Sequence, residues 1–323
     1  MNFPHTILYH GNCIDGWFSA YFAYTSIGLT NNVQMFPISP GQMNTWPNVK
    51  QMAGTHILLL DVSVAEIHRT NWMENGALSV NCIDHHSSSI EHWAHDACPI
   101  NVESCAAMQT FRHFYPEHPV PFWLEMIDRI DRWDNVTYED RCIREILTII
   151  SHKPVQRKLD EAFMLTQQFI MHMTNPLNME MYLAQGKQIL DKKDVELSAI
   201  LLKGGIHTFT QDYITGWKLP ESWLSTNVYI IDNTNIVFDT TEASHIIFMN
   251  NPNVSIFINY RKKTFYTKDP KPVKKTMYVY SARSRGVNLT EGTIFNGHPS
   301  AAGASIIKED DSVFLPFLLN LDK

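Results

Sequence analysis

The sequence predicts an α/β protein in which a parallel-sheet domain is joined by a long helix to a smaller α/β C-terminal domain. Three observations carry this. Short apolar runs alternate with helical patterns through the first half of the chain. A long, charged helical pattern follows at Leu177–Leu202 and ends at Gly204-Gly205. After it the chain becomes strand-rich, with turn-forming intervals such as Asn250-Asn251-Pro252-Asn253. The corresponding divisions are 1–175, a connector at 176–205, and 206–323.

In order, Thr6–Tyr9 reads as a short strand that ends in His10-Gly11-Asn12-Cys13-Ile14-Asp15-Gly16, and Trp17–Ile27 as a helix packed on a sheet. Asn32–Ile38 is a second strand. His56–Leu60 is a continuous apolar run, the mark of a strand buried on both faces, and it ends in Asp61-Val62-Ser63. Val64–Glu74 reads as helix, and Ala77–Ile83 as a strand leading into Asp84-His85-His86-Ser87. Helical character then continues through Asn101–Phe114, Pro121–Trp133, Ile143–Ile150 and Lys158–Met173. In the last third, Val228–Asp232, Val254–Tyr260 and Met277–Ala282 are strand-like. Ser281–Ser284 closes a strand, and Asn296–Gly303 reads as a small-residue loop feeding a helix, a cradle for an anion.

Composition narrows the function classes. The chain has 323 residues, enough for one large domain or two ordinary ones, and a formal charge of −7 that argues against a general electrostatic footprint for long nucleic acid. No apolar run reaches the length of a membrane helix, and Met1–His5 shows no secretory pattern. Five cysteines without paired spacing argue against a disulfide framework and for a reducing, cytoplasmic setting. The one basic concentration is Arg261, Lys262, Lys263, Lys268, Lys271, Lys274 and Lys275, with Pro270 and Pro272 at a hairpin tip. It reads either as a solvated loop or as a steering surface for anionic substrates.

The chemistry lies at strand ends. A parallel sheet with right-handed crossovers aligns its carboxyl ends on one edge, so His10 with Asp15, then Asp61, then Asp84-His85-His86 should converge there. A lone acid after a strand is usually a helix cap. Three ends that all carry metal-type ligands point instead to a divalent-metal site. Asp128 and Asp131, three apart on one helix, could join it or could belong to a solvated face paired with Arg129 and Arg132.

These segments together resemble the DHH phosphoesterase superfamily, specifically members with the DHH-associated C-terminal domain. The first motif is His10 to Gly16, the second Leu60-Asp61, the third Asp84-His85-His86, the fourth Ile127–Trp133, and the C-terminal signature runs from Gly297-His298 to Ala302-Gly303. The His-Gly-Asn-Cys form is similar to the oligoribonuclease and cyclic-nucleotide phosphodiesterase branch. The resemblance implies an active site in the cleft between the two domains, with two Mn²⁺ ions (Mg²⁺ or another divalent metal being the alternative). Their ligands would be His10, Asp15, Asp61, His85 and Asp131, with Asp61 bridging. His86 would face the substrate phosphate, and Asp84 would orient a neighbouring imidazole. Arg283, Gly297, His298 and Gly303 would bind substrate. Many relatives carry an aspartate where this chain has Cys13, which leaves open whether the thiol is a ligand. Asn296 replaces a signature glycine.

The implied activity is that of a phosphodiesterase hydrolysing short oligonucleotides or cyclic di- or mononucleotides through a metal-activated hydroxide. The alternatives are a single-strand exonuclease on longer nucleic acid, an inorganic pyrophosphatase and a catalytically weakened nucleotide-binding regulator. The expected partner is a small nucleotide or short oligonucleotide, with no membrane and no stable long nucleic-acid partner. A homodimer is left open.

Overall fold

The computed structural model describes residues 5–27, 32–39, 47, 49–86, 89–93, 101–154, 156, 158–211, 215, 219–266, 274–291, 293, 295–298 and 300–307. The chain divides into two compact units, Met1–Asp191 and Lys192–Lys323.

In the first unit the order is β1 (His5–His10), α1 (Ile14–Ile27), β2 (Val33–Ile38), α2 (Val49–Met52), β3 (His56–Leu60), α3 (Glu66–Glu74), β4 (Ser79–Ile83) and α4 (Ile90–Trp93). There follow α5 (Ala106–Phe114), α6 (Phe122–Arg132), α7 (Tyr138–His152), α8 (Leu159–Met173) and α9 (Pro176–Leu201), the last of which contains the division between the units. The four strands pair in the order β2-β1-β3-β4, all parallel.

Both faces of this sheet are covered, which is why apolar residues dominate its central strands β1 and β3. Alternation along the strands splits the core in two. Ile7, Tyr9, Leu60 and Ile83 pack with α1 and α5–α8, whereas Leu8, Ile57, Leu59, Val80 and Cys82 pack with Trp72 of α3 and Trp93 of α4. The helical layer is tied by a buried hydrogen bond from Trp17 Nε1 to Thr166 Oγ1 (2.9 Å). α7 opens on a capping box in which Thr137 and Asp140 exchange side-chain and backbone hydrogen bonds.

The second unit holds β5 (Gly205–Thr208), a short 3₁₀ turn at Glu221–Trp223, β6 (Asn227–Asp232), α10 (Thr240–Asn250), β7 (Val254–Tyr266), β8 (Lys274–Ser284), β9 (Asn296–His298) and β10 (Ala301–Ile307). They form a mixed six-stranded sheet in the order β5-β6-β7-β8-β10-β9, with β6 and β7 parallel and the other pairs antiparallel. The α/β class, with a parallel sheet and a separate mixed sheet, is the one the sequence predicts.

Two local expectations fail. Asn296–Gly303 does not feed a helix: it forms β9, a connection and the start of β10. Small residues suit this tight pairing, since a Cβ on Gly303 would stand only 3.2 Å from the Tyr280 carbonyl oxygen of β8. The basic residues Arg261–Lys263 and Lys274–Lys275 lie in β7 and β8, which run beyond the predicted strand limits. Ser87, Pro299, Lys268, Pro270, Lys271 and Pro272 lie outside the described residues.

Candidate metal centre

Three adjacent strand ends build the site. At the end of β1, Gly11 donates its N–H to Ile38 O (2.8 Å), and Asn12 turns the chain with φ of 58°. Cys13 leads into α1, whose first turn buries Asp15. The turn closes this tightly because residue 16 is glycine: a Cβ there would overlap the carbonyl oxygen of His10. Next along the edge, Asp61 N–H bonds Ile83 O (3.0 Å) and its backbone takes φ of 57°. That left-handed conformation costs an L-residue roughly 1–2 kcal/mol, and Asp and Asn tolerate it best. It turns the chain while the Asp61 carboxylate stays buried at the sheet edge.

The third end is held by Asp84. This fully buried carboxylate accepts the His85 N–H (2.8 Å), the His86 N–H (3.3 Å) and Ser89 Oγ (2.6 Å), and Ser89 Oγ in turn lies 2.6 Å from Ser63 Oγ. Asp84 Oδ1 also stands 2.7 Å from His86 Nδ1, so the ring is fixed at one nitrogen while nearly half of its surface is exposed.

The convergence is centred on Asp61 and His85. His85 Nε2 lies 3.3 Å from Asp61 Oδ1, 3.3 Å from Asp131 Oδ2 and 3.6 Å from Asp15 Oδ2. His10 Nδ1 lies 3.2 Å from Asp61 Oδ2. Cys13 completes a donor set with His10 and Asp61; Asp15, His85 and Asp131 form a second, and Asp61, Asp84, His85 and His86 a third.

The charge balance is strained in the direction a cation would relieve. Burial, then the charges of Asp61 and Asp131, push the Asp15 carboxyl well up. Burial and the Asp61 charge raise Asp131 to about 6. Burial would raise Asp61 too, but the His10 and His85 imidazoles more than reverse this and hold it well below the usual carboxylate range. Burial works against charge on His85, yet the three surrounding carboxylates raise it to about 10. An imidazolium at His85 is thus the cluster's own counter-charge, and a metal ion that takes its place must displace that proton. Burial, reinforced by the same three carboxylates, also keeps the Cys13 thiol protonated.

These residues fit a divalent metal. Asp61 Oδ1 and Asp131 Oδ2 are buried and, among the described residues, accept no well-formed hydrogen bond; both depend on the one His85 Nε2, 3.3 Å from each. Such acceptors are costly unless paired, and carboxylate and imidazole donors with a single thiol suit a transition ion.

The structure also separates Asp128 from Asp131. Asp131, in the last turn of α6, meets His85. Asp128 instead accepts Cys105 N–H (2.6 Å) and is paired with Arg132 (2.7 Å). Asp15 similarly accepts the N–H groups of Ala106 (2.8 Å) and Ala107 (2.6 Å) at the start of α5. This amide array was invisible to sequence reasoning. Ser104-Cys105-Ala106-Ala107 carries no side-chain signal for it, and the irregular backbone before Ala106 shortens the helix predicted from Asn101. Ser89, under Asp84, was missed as well.

The substrate-binding candidates belong to the second unit. Arg283, on β8, reaches Thr241 Oγ1 of α10 with Nε (3.4 Å) and Nη2 (3.3 Å), and burial lowers its pKa. Gly297 and His298 are on β9 and Gly303 on β10; strand register places Arg283, Ala301 and His298 in one cross-strand row.

No known family profile matches the chain, and no curated protein matches it by sequence. Among solved structures it matches RecJ from Thermus thermophilus, determined in complex with Mn²⁺, with a TM-score of 0.50 over 99% of this chain at 11% identity. The two share a fold. The chain spans about half of that RecJ, 52% of its length. Among the described residues no helix is long and apolar enough to cross a membrane.

Proposed function

We propose that this chain is a divalent-metal-dependent phosphoesterase of the DHH superfamily that cleaves phosphodiester bonds in short oligonucleotides or in cyclic or linear nucleotides. The observation that carries this reading is the pair of buried carboxylate oxygens, Asp61 Oδ1 and Asp131 Oδ2, each 3.3 Å from the one shared His85 Nε2 and, among the described residues, without a well-formed hydrogen bond, within a ring of imidazoles and carboxylates. His10, Cys13, Asp15, Asp61, His85 and Asp131 would hold the metal. The fold shared with a RecJ solved in complex with Mn²⁺ supports manganese as first choice. Bound divalent ions supply Lewis acidity toward a phosphoryl oxygen and lower the pKa of water.

The chain's own residues do the rest. His86, with Nδ1 engaged by Asp84, offers Nε2 to a phosphoryl oxygen, and its pKa is raised above the ordinary histidine value chiefly by that carboxylate. Asp84 is a positioning residue, because its oxygens are fully used on the His85 and His86 amides, the His86 ring and Ser89. Asp15 is anchored at both oxygens by α5, which fixes one wall of the ring. Cys13 would be a softer donor than the carboxylate it replaces. Arg283, Gly297, His298 and Gly303 would receive the nucleotide.

The test is hydrolysis by the purified chain with Mn²⁺ of a dinucleotide, a cyclic dinucleotide, a long single strand and pyrophosphate. The dinucleotide is expected to be cleaved and EDTA to stop it, with Asp61→Ala and His85→Ala folded but inactive. Near-normal turnover in either variant refutes the assignment, and binding without hydrolysis of any substrate would favour a regulator. Cys13→Asp should keep or raise the Mn²⁺-dependent rate.

A further inference from the structure

The basic stretch that the proposed chemistry leaves unused lies where β7 and β8 run on past β6 and, from Thr276 outward, past the described end of β10. Among the described residues β6 pairs with β7 only as far as Tyr260 and β10 pairs with β8 only as far as Met277, whereas β7 and β8 stay paired out to Tyr266 and Lys274. At ~3.3 Å per residue, the stretch from Arg261 to Tyr266 extends about 20 Å. Residues 261–280 hold seven of the chain's 26 Lys and Arg against one acid, Asp269, in a chain of net charge −7. Arg261, Lys262, Lys263 and Lys274 are exposed, and none forms an ion pair among the described residues.

Aromatic surface lies among these cations. Register pairs Lys262 with Tyr278 and Tyr266 with Lys274, and directly paired residues share a face, so Lys262, Tyr278 and Lys274 lie on one side of the ribbon. Tyr278 is half-buried and belongs to a row with Tyr280 (ring centroids 6.5 Å apart) and Tyr260 (6.4 Å). Arg261, Lys263 and Lys275 extend the positive charge on the other side. Cations that follow an extended backbone beside an accessible aromatic ring are the requirements for holding a single nucleic-acid strand without sequence preference.

We infer that the β7–β8 ribbon is a binding surface for single-stranded nucleic acid, Lys262 and Lys274 contacting phosphates and Tyr278 stacking on a base. The inference rests on the phosphodiesterase reading for its substrate class and makes a strand longer than a dinucleotide a ligand of this chain. Net charge alone argues otherwise, but binding to a polyanion follows the local density of cations.

The test is fluorescence anisotropy of the full chain with a labelled single strand of about 20 nucleotides, in EDTA, between about 0.05 and 0.3 M KCl. Each phosphate contact contributes about −0.7 to the slope of log K against log salt. Lys262→Ala/Lys274→Ala should therefore make the slope shallower by about 1.4 and weaken binding about 25-fold at ~0.1 M salt. The Arg replacements at both positions should restore binding. Tyr278→Leu should weaken binding at least about fivefold with the slope unchanged. Mn²⁺-dependent hydrolysis of a dinucleotide should be the same in all variants.

Unchanged affinity and slope in the double Ala variant overturn the ribbon while leaving the hydrolase reading intact. Ribbon-dependent binding in a chain that hydrolyses nothing does the reverse. Ribbon-dependent binding to anionic lipid vesicles but not to the strand would overturn the inference in favour of a membrane surface.

Discussion

Replacing Asp131 by Asn should make the metal-free protein more stable and the metal-loaded one less so. Asp131 is raised from an ordinary value of 3.8 to about 6, by burial first and the Asp61 charge second. A carboxyl moved that far carries roughly 3 kcal/mol against its charged form. The folded chain holds the Asp131 proton more tightly than the unfolded chain, so this destabilisation is absent below pH ~4, grows as pH rises towards 6 and is complete above it. The asparagine side chain would be neutral throughout. In EDTA at pH 8 the variant should therefore gain up to about 3 kcal/mol, a rise of roughly 6–12 °C for a unit of this size. At pH 4 the gain should shrink to about 0.5 kcal/mol. With Mn²⁺ at ~100 times its dissociation constant the wild type should gain about 2.7 kcal/mol, and the variant little of it. Calorimetry of both proteins at pH 4, 6 and 8, with EDTA or Mn²⁺, reads all of this. A variant destabilised in EDTA at pH 8, or one stabilised by Mn²⁺ as the wild type is, would refute the reasoning.

Two further predictions concern the scaffold. Gly16→Ala drives a methyl into the His10 carbonyl, so it should cost about 1–3 kcal/mol or more and weaken Mn²⁺ binding; a thermal melt with a Mn²⁺ titration checks both, and an unshifted melt counts against the close approach. Asp140→Asn breaks the bidentate pair with Arg129 (2.7 and 3.0 Å) and the capping box of α7, costing about 2–4 kcal/mol at pH 7. Despite burial, the Asp140 carboxyl is held below its ordinary value by Arg129 and Thr137. Its stabilisation is thus present above pH ~4 and lost as pH falls through the lower folded-state value. The difference in urea midpoint between wild type and variant should shrink on acidification, and a constant difference would refute the assignment.

The parts of this protein legible in its sequence are those in which one short segment does the whole job. His56–Leu60 is a strand with the predicted limits because burial on both faces leaves an uninterrupted apolar run. The ligand-type residues at strand ends are legible because a parallel sheet converts chain order into spatial neighbourhood. What sequence pattern missed depends on pairs far apart in the chain. Asp15 reaches α5 across 91 residues, and the α5 amides have no side-chain signature. β9 and β10 read as loop and helix because Gly and Ser mark turns and Ala favours helix in isolation, whereas here these small residues permit close strand contact. The basic stretch read as loop because charge masks the strand propensity of its Tyr, Phe, Val and Thr, and pairing across β7 and β8 supplies what local pattern does not.

The same α5 amides explain how so acidic a cluster can sit at one edge. The first turn of a helix leaves N–H groups without partners and carries partial positive charge. Cys105, Ala106 and Ala107 spend these groups on Asp128 and on both oxygens of Asp15. Asp15 is thereby compensated at both oxygens by backbone amides, beside the His85 imidazole 3.6 Å away. Asp128, engaged by Cys105 and Arg132, is drawn away from the cluster, and Asp131, one turn on, is the acid of α6 that meets His85. The division of labour between two acids three residues apart follows from where α5 begins. A change that shifts the start of α5 would disturb Asp15 and Asp128 together, before it touched His85 or Asp61.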